Sequence, residues 1–140
     1  MVTYNSFEDL PVWQKARKVC QRVHQLKLNT DLGKDFKLYN QINGASGSIM
    51  DNIAEGFERN GKKEFCQFLS IAKASFGEVQ SQCWRIKDRG YMNQVEFESL
   101  REACQEIGKQ LSGFISYLNK SEVQGIKYKG DSVAKSENRN

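Results

Sequence analysis

Positive charge is concentrated in one stretch of this sequence. Five basic residues and no acidic residue lie between Leu10 and Leu28. Lys15, Lys18 and Arg22 are spaced at i, i+3 and i+7, so a helix places them on one side, where they would meet the phosphates of a nucleic acid. The candidate nucleic-acid-binding residues are therefore Lys15, Arg17, Lys18, Arg22 and Lys27.

Two roles without nucleic acid would also account for these charges. One is an ordinary solvated face that aids solubility. The second is pairing with an acidic helix, because a later stretch carries four glutamates against Arg101 alone: Glu96, Glu98, Glu102 and Glu106. Such pairing could occur within the chain or between copies, and the sequence leaves all three roles open.

Other chemistries find little support. His24 is the only histidine, too few for the Glu-x-x-His pairs of a bundle metal site. Cys20 stands four residues before it, a spacing that we attribute to chance rather than to a catalytic pair. Gly44 and Gly47 do not match a phosphate-binding loop. We therefore predict no catalytic residue, no metal and no cofactor.

Two tryptophans are candidates for base stacking. Trp13 and Trp84 flank apolar stripes, so packing in the core or between subunits is the favoured role for both. Trp84, with Arg85 and Arg89, is the best stacking candidate outside the first helix.

Four segments that carry these residues have helical periodicity. Apolar residues recur at alternating three- and four-residue spacing, and Pro11 suits a first turn. Ser6 with Asp9, and Asn93 with Glu96, resemble capping boxes. The predicted helices are Leu10 to Leu28, Phe36 to Arg59, Lys62 to Arg89 and Gln94 to Asn119. Since no segment alternates like a strand and the connections are short, we predict an all-α, antiparallel up-down-up-down four-helix bundle.

The second helix contains a run of small residues. Gly44 and Gly47 each cost a helix interior about 1 kcal/mol relative to alanine. Close approach of another helix would offset that cost, and a locally weak helix is the alternative.

Composition limits the remaining possibilities. The chain has 140 residues, a net charge of +4 and one proline, which fits one helical domain. We expect the bundle at residues 1–120 and a polar, disordered tail at 121–140. The four cysteines form no C-x-x-C pair, so we expect reduced, apolar packing residues. No apolar run or N-terminal signal suggests a membrane, and we expect a cytoplasmic protein.

Four ordered motifs carry a family resemblance. They are Phe7 to Ala16 (FEDLPVWQKA), Asp51 to Gly56 (DNIAEG) followed by Arg59, Lys63 to Ala72 (KEFCQFLSIA), and the pair Gly90-Tyr91. In order and spacing they resemble the 23S rRNA intervening sequence proteins, over about Tyr4 to Lys120.

The resemblance implies a left-handed bundle that assembles as a homopentamer. Such proteins are encoded within or near intervening sequences of bacterial ribosomal RNA genes, and their molecular function is poorly defined. The sequence is also similar to the accessory variability determinant proteins of diversity-generating retroelements. Those proteins form pentameric barrels, bind nucleic acid and work with a reverse transcriptase. The implied partners are RNA or DNA, further copies of the chain, and possible contact with such an enzyme.

The second helix departs from the family pattern at one place and follows it at another. The family often carries an arginine pair in the second helix, where this sequence has Asn43 and Gly44, so a basic surface there is in doubt. Asn52, Glu55 and Arg59 follow the family signature, and we expect a structural role at a helix or subunit contact rather than a binding site. Glu55 and Arg59 are spaced for an i,i+4 ion pair.

Overall fold

Four α-helices build the protein, which is described here from a computed structural model covering residues 4–120. Each predicted helix is confirmed to within one residue at either end, and no strand occurs in the described range. The predicted disorder of the tail concerns residues outside that range. The helices are α1 Pro11–Asn29, α2 Phe36–Glu58, α3 Lys62–Asp88 and α4 Gln94–Lys120.

Neighbouring helices run antiparallel. The main packing contacts join α1 to α2, α2 to α3, α3 to α4 and α4 back to α1. In the first three pairs the beginning of one helix meets the end of the other. In the fourth pair, Val12 at the start of α1 and Phe114 near the end of α4 line the same cleft, as an up-down-up-down arrangement requires. The diagnostic contacts of the first three pairs are Lys27 on Tyr39, Arg85 to Gln41 and Cys66 to Asn119. The left-handed twist stays a prediction.

The core consists of the predicted stripes. Val19, Ile49, Leu69 and Ile107 are typical members, each at most 1% exposed. Three residues that the same periodicity places in the stripes, Leu26, Phe76 and Phe114, are only half-buried. Removal of this apolar surface from water is the main force that holds the bundle together.

The four cysteines are free thiols. Cys83 and Cys104 are fully buried in facing stripes of α3 and α4, where they share a hydrogen bond. That hydrogen bond and burial raise the pKa of the Cys83 thiol well above its usual range. It is therefore protonated at neutral pH and packs as a small apolar group.

One predicted helix cap is confirmed and another is wrong. The Asn93 side chain accepts from the Glu96 backbone at 2.8 Å, and the Glu96 side chain accepts from the Asn93 backbone at 3.1 Å. Ser6 makes no such cap, because a short 3₁₀ turn, Phe7–Asp9, separates it from α1. Buried Leu10 precedes α1 instead, with Pro11 in the first turn as predicted.

The interpretation of the two α2 glycines is wrong within the chain. A Cβ atom added at Gly44 or Gly47 would meet nothing within 4 Å, so no helix of the described chain approaches there. The alternative, a locally weak helix, stays a prediction, although α2 is continuous from Phe36 to Glu58. Close packing within residues 4–120 therefore does not offset the helix-propensity cost of these glycines.

Asp35 joins the two loops at one end of the bundle. Its Oδ1 caps α2 by accepting from the Leu38 backbone at 3.3 Å. Its Oδ2 accepts from the Tyr91 hydroxyl at 2.8 Å and from Arg89 at 2.6 Å. These donors, Tyr91 first, hold the pKa of the Asp35 carboxyl below its usual range. The Gly90-Tyr91 motif thus ties the α3–α4 turn to the start of α2.

The ionised Asp35 carboxylate should make stability depend on pH. Its folded pKa lies below the unfolded value of about 3.9, so its contribution is complete above that value and disappears as the pH falls through the folded pKa. We expect Asp35→Asn to lower the urea midpoint at about pH 7 and to differ much less from wild type at about pH 3.

Tyr91→Phe is the matched control, because it removes one donor and leaves the carboxylate. It should lower the midpoint in the same direction by a smaller amount. A stability difference between Asp35→Asn and wild type that does not change with pH would contradict this account.

Candidate nucleic-acid interface

The five basic residues of α1 do not form one surface. Lys15 lies beside α4, where its Nζ is 3.3 Å from a carboxylate oxygen of Glu106. Both side chains are partly exposed, at 38% and 53%, so this ion pair contributes little to stability. At this one position, the predicted pairing between the basic helix and the acidic helix is present.

The α4-side edge of α1, defined as Lys15, Lys18 and Arg22, keeps charge available. Arg22 is half-buried in a cleft that Glu96 and Leu100 of α4 also line. Lys18 is exposed. Within residues 4–120 neither Lys18 nor Arg22 forms an ion pair. The exposed Lys18 is open to an external anion, whereas Arg22 can meet one only at the mouth of the cleft that it shares with Glu96.

The other two basic residues lie elsewhere on the helix. Lys27 faces α2, with its Nζ 4.9 Å from the centre of the Tyr39 ring, a cation–π contact. Arg17 is exposed and lies about 200° around α1 from Lys15. Arg17 belongs to the outer stripe of α1, a row of four exposed residues that points away from the bundle: Arg17, Gln21, His24 and Leu28.

Trp84 has different cationic neighbours from those predicted. Its ring contacts Phe97, at 4.6 Å between centroids, and Arg101 stacks on it at 5.2 Å. Arg85 instead donates to Gln41 on α2, and Arg89 is held by Asp35. Arg85 and Arg89 point towards α2 because they lie on the opposite flank of α3 from Trp84, so the proposed stacking cluster does not form.

Asn52, one of the three family-signature residues, belongs to a hydrogen-bond network between α2 and α3. Its amide donates to the Ser48 carbonyl at 2.8 Å and to the Ser48 hydroxyl at 3.0 Å. Ser75 of α3 donates to that same hydroxyl at 2.8 Å. The three side chains therefore fix the register of α2 against α3.

At the end of α2, Glu55 and Arg59 form the predicted ion pair. Arg59 Nη2 donates to Glu55 Oε2 at 2.8 Å, and its guanidinium lies 5.0 Å from the centre of the Phe68 ring on α3. The hydrogen bond from Arg59 to Glu55 raises the pKa of the arginine further. This arrangement supports a structural role at the α2–α3 contact.

Gly56 has a role that was not predicted from the sequence. A Cβ atom there would lie 2.8 Å from Phe68 Cβ and 2.9 Å from Phe65 Cδ1, closer than side chains pack. The signal was present, since Gly56 follows Ile53 by three residues and so continues the apolar stripe of α2. A glycine in a core position indicates that another helix packs against its backbone.

The structure bears on two of the chemistries considered for this sequence, metal binding and a nucleophilic cysteine. No three histidine, cysteine or acidic side chains cluster among residues 4–120 as metal ligands. Burial, the main cause, raises the pKa of the Cys20 thiol, the opposite of what a nucleophilic cysteine needs. No helix in this range is long and apolar enough to cross a membrane.

Comparison with known proteins identifies a family. The sequence model of the 23S rRNA-intervening sequence protein family matches residues 8–113. A solved structure from Bacteroides thetaiotaomicron, described as a protein of unknown function from the S23 ribosomal protein family, superposes with a TM-score of 0.68. It is 24% identical and covers 75% of this chain and 95% of its own, which supports the fold. No curated protein matches.

Gly56 should not tolerate a methyl group. Gly56→Ala places Cβ against Phe65 and Phe68, so we expect a loss of about 1–3 kcal/mol in the free energy of unfolding, measured with urea. The control is Gly113→Ala on α4, where Cβ meets nothing, and we expect a gain of about 0.5–1 kcal/mol. Equal stability of the two variants would show that α2 and α3 are not tightly packed at Gly56.

Proposed function

Since the chain belongs to the 23S rRNA-intervening sequence protein family, we propose that it is a non-enzymatic, oligomeric protein that presents the α4-side edge of α1 to structured RNA or to a ribonucleoprotein. A homopentamer is the assembly implied by the resemblance of its motifs to the family. The cytoplasm of a bacterium is the setting that we propose for it.

The observation that carries this proposal is the uncompensated charge on α1. The helix holds five basic residues and no carboxylate. Only Lys15 of the five is in an ion pair within the described chain. Basic side chains without such partners bind phosphate by releasing the counterions of the nucleic acid, with no need for a shaped pocket.

Assembly would multiply this modest charge. One edge offers two unpaired cations, which is a weak site for a polyanion. A symmetric ring repeats the edge in each copy and sums the fields of all copies, so RNA would be attracted over a larger surface.

An accessory scaffold is the second candidate function. Here the ring binds a partner protein, such as the reverse transcriptase of a diversity-generating retroelement, and nucleic acid is secondary. The observation that favours it is the small number of free cations: Lys15 is paired, Lys27 lies on Tyr39, and Asn43 with Gly44 replaces the arginine pair.

Charge reversal on the free part of the edge should abolish RNA binding. We expect Lys18→Glu with Arg22→Glu to remove detectable binding of a structured RNA in fluorescence anisotropy, because two phosphate contacts per copy become repulsive. Lys15 is left unchanged so that its ion pair with Glu106 survives. The matched control, Lys63→Glu with Lys73→Glu, makes the same charge change at exposed positions on α3.

The control should bind with only the modest loss that the altered net charge causes. Both variants should keep the wild-type assembly mass. Unchanged RNA affinity in Lys18→Glu with Arg22→Glu would overturn the assignment of the edge and leave the scaffold as the better hypothesis.

A further inference from the structure

A cleft between the second half of α1 and the start of α4 adjoins the cations proposed for RNA contact. Arg22 lines this cleft, and Lys18 lies one turn before Arg22 on the same side of α1. The apolar floor of the cleft consists of Leu26, Met92 and Leu100, of which the last two are at most 6% exposed. Binding of phosphate alone needs no apolar floor, so the cleft is suited to another part of a nucleotide.

The cleft has about the size of one six-membered ring. Its volume is about 170 Å³, close to the roughly 150 Å³ of an engineered apolar cavity that binds benzene. A pyrimidine base therefore fits, whereas the second ring of a purine would project into solvent. Unpaired bases of loops and bulges are splayed out of the RNA helix, so they can enter a cleft of this kind.

Glu96 limits what can enter the cleft. Its Oε1 accepts from the Asn93 backbone at 3.1 Å, and its Oε2 accepts no hydrogen bond within residues 4–120. Glu96 and Arg22 line the same cleft, yet they form no ion pair in that part of the chain. A carboxylate beside a phosphate-binding edge repels RNA unless a base donates a hydrogen bond to it.

Gln25 supplies a hydrogen-bond donor in the same cleft. Its Oε1 accepts from Asn29 Nδ2 at 3.3 Å, and its own amide nitrogen donates to no group within residues 4–120. The cleft thus presents a carboxylate acceptor from α4 and an amide donor from α1.

Cytosine carries the matching pair of groups on its Watson–Crick edge. Its exocyclic N4 amino group donates to a carboxylate, and its N3 next to it accepts. Uracil has the O4 carbonyl in place of the amino group, and that oxygen would face the Glu96 carboxylate. Adenine has the same donor and acceptor on a two-ring base, which the size of the cleft disfavours.

We propose that this cleft binds an unpaired cytosine base of a nucleic acid. Glu96 accepts from the N4 amino group, the Gln25 amide donates to N3, and the apolar floor packs against the ring. The inference rests on the proposed function and adds the base that the nucleic acid presents. Lys18 and Arg22 contact the neighbouring phosphates whatever the base is, so affinity and base preference come from different residues.

The base preference of the wild-type protein is the first test. Duplex RNAs that differ only in one bulged nucleotide, a cytidine, a uridine or an adenosine, are titrated at one salt concentration by fluorescence anisotropy. We expect the cytidine probe to bind about tenfold more tightly than the uridine probe, which loses a hydrogen bond to a charged group. The adenosine probe should also bind more weakly than the cytidine probe. Duplex DNAs with a bulged deoxycytidine or deoxyuridine show which nucleic acid the cleft accepts, and the preference in either supports the proposal.

Glu96→Gln tests the residue that distinguishes the bases. Glutamine can replace glutamate in the cap of α4, so circular dichroism and urea unfolding should show a folded protein. The new amide can donate to O4 of uracil, so the ratio of cytidine to uridine affinity should fall to about two or less. The matched control is Glu98→Gln, the same charge change at an exposed position of α4 outside the cleft, which should keep the ratio.

Each result decides the proposal. Equal affinity of the wild type for cytidine and uridine bulges, in RNA and in DNA, overturns it and leaves phosphate binding by the basic edge in place. Adenosine binding as tight as cytidine binding overturns the choice of cytosine. An unchanged ratio in Glu96→Gln, or an equal loss of the ratio in Glu98→Gln, also overturns the proposal. Absence of binding to every probe at low salt removes the proposed function, and this inference with it.

Discussion

The close packing of α2 against α3 is the constraint on which the rest of the structure depends. At Gly56 the two backbones come so near that a methyl group has no room. From that point the pair is fastened along its length by Arg59 on Phe68, by Ser75 to Ser48 and by Arg85 to Gln41. Helix packing thus accounts for the contacts of Asn52, Gly56 and Arg59 in this chain. The polar members of the signature set the register, and the glycine sets the distance.

Closure of the bundle by α1 and α4 depends on that fixed pair. Apolar stripes provide the packing energy, while charge contributes one exposed ion pair between Lys15 and Glu106. That pair uses one of the five basic residues and Lys27 contacts Tyr39, so within residues 4–120 the other three, Arg17, Lys18 and Arg22, form neither an ion pair nor a cation–π contact. Charge that is not needed for folding is available for recognition, and here it lies on two separate sides of one helix, at Arg17 and at Lys18.

Sequence patterns predicted the helices accurately because the periodicity, Pro11 and the Asn93–Glu96 cap all agree with one another. They failed where the outcome depends on three-dimensional neighbours. Ser6 resembles a cap, yet the 3₁₀ turn after it moves the start of the helix. Arg85 and Trp84 are adjacent in sequence but lie on opposite flanks of α3. Lys15 and Lys18 share a side of α1, and only contact with α4 distinguishes the paired cation from the free one. The Asp35 link was missed because it joins loops more than fifty residues apart.

The central claim is that free cations on α1 bind RNA through its phosphates. The most direct measurement is the affinity of nuclease-treated wild-type protein for a structured RNA and for duplex DNA across a salt series, by fluorescence anisotropy. The account predicts a steep linear fall of log affinity with log salt concentration, with a slope that reports the number of phosphates neutralised. Absence of binding at low salt would contradict it.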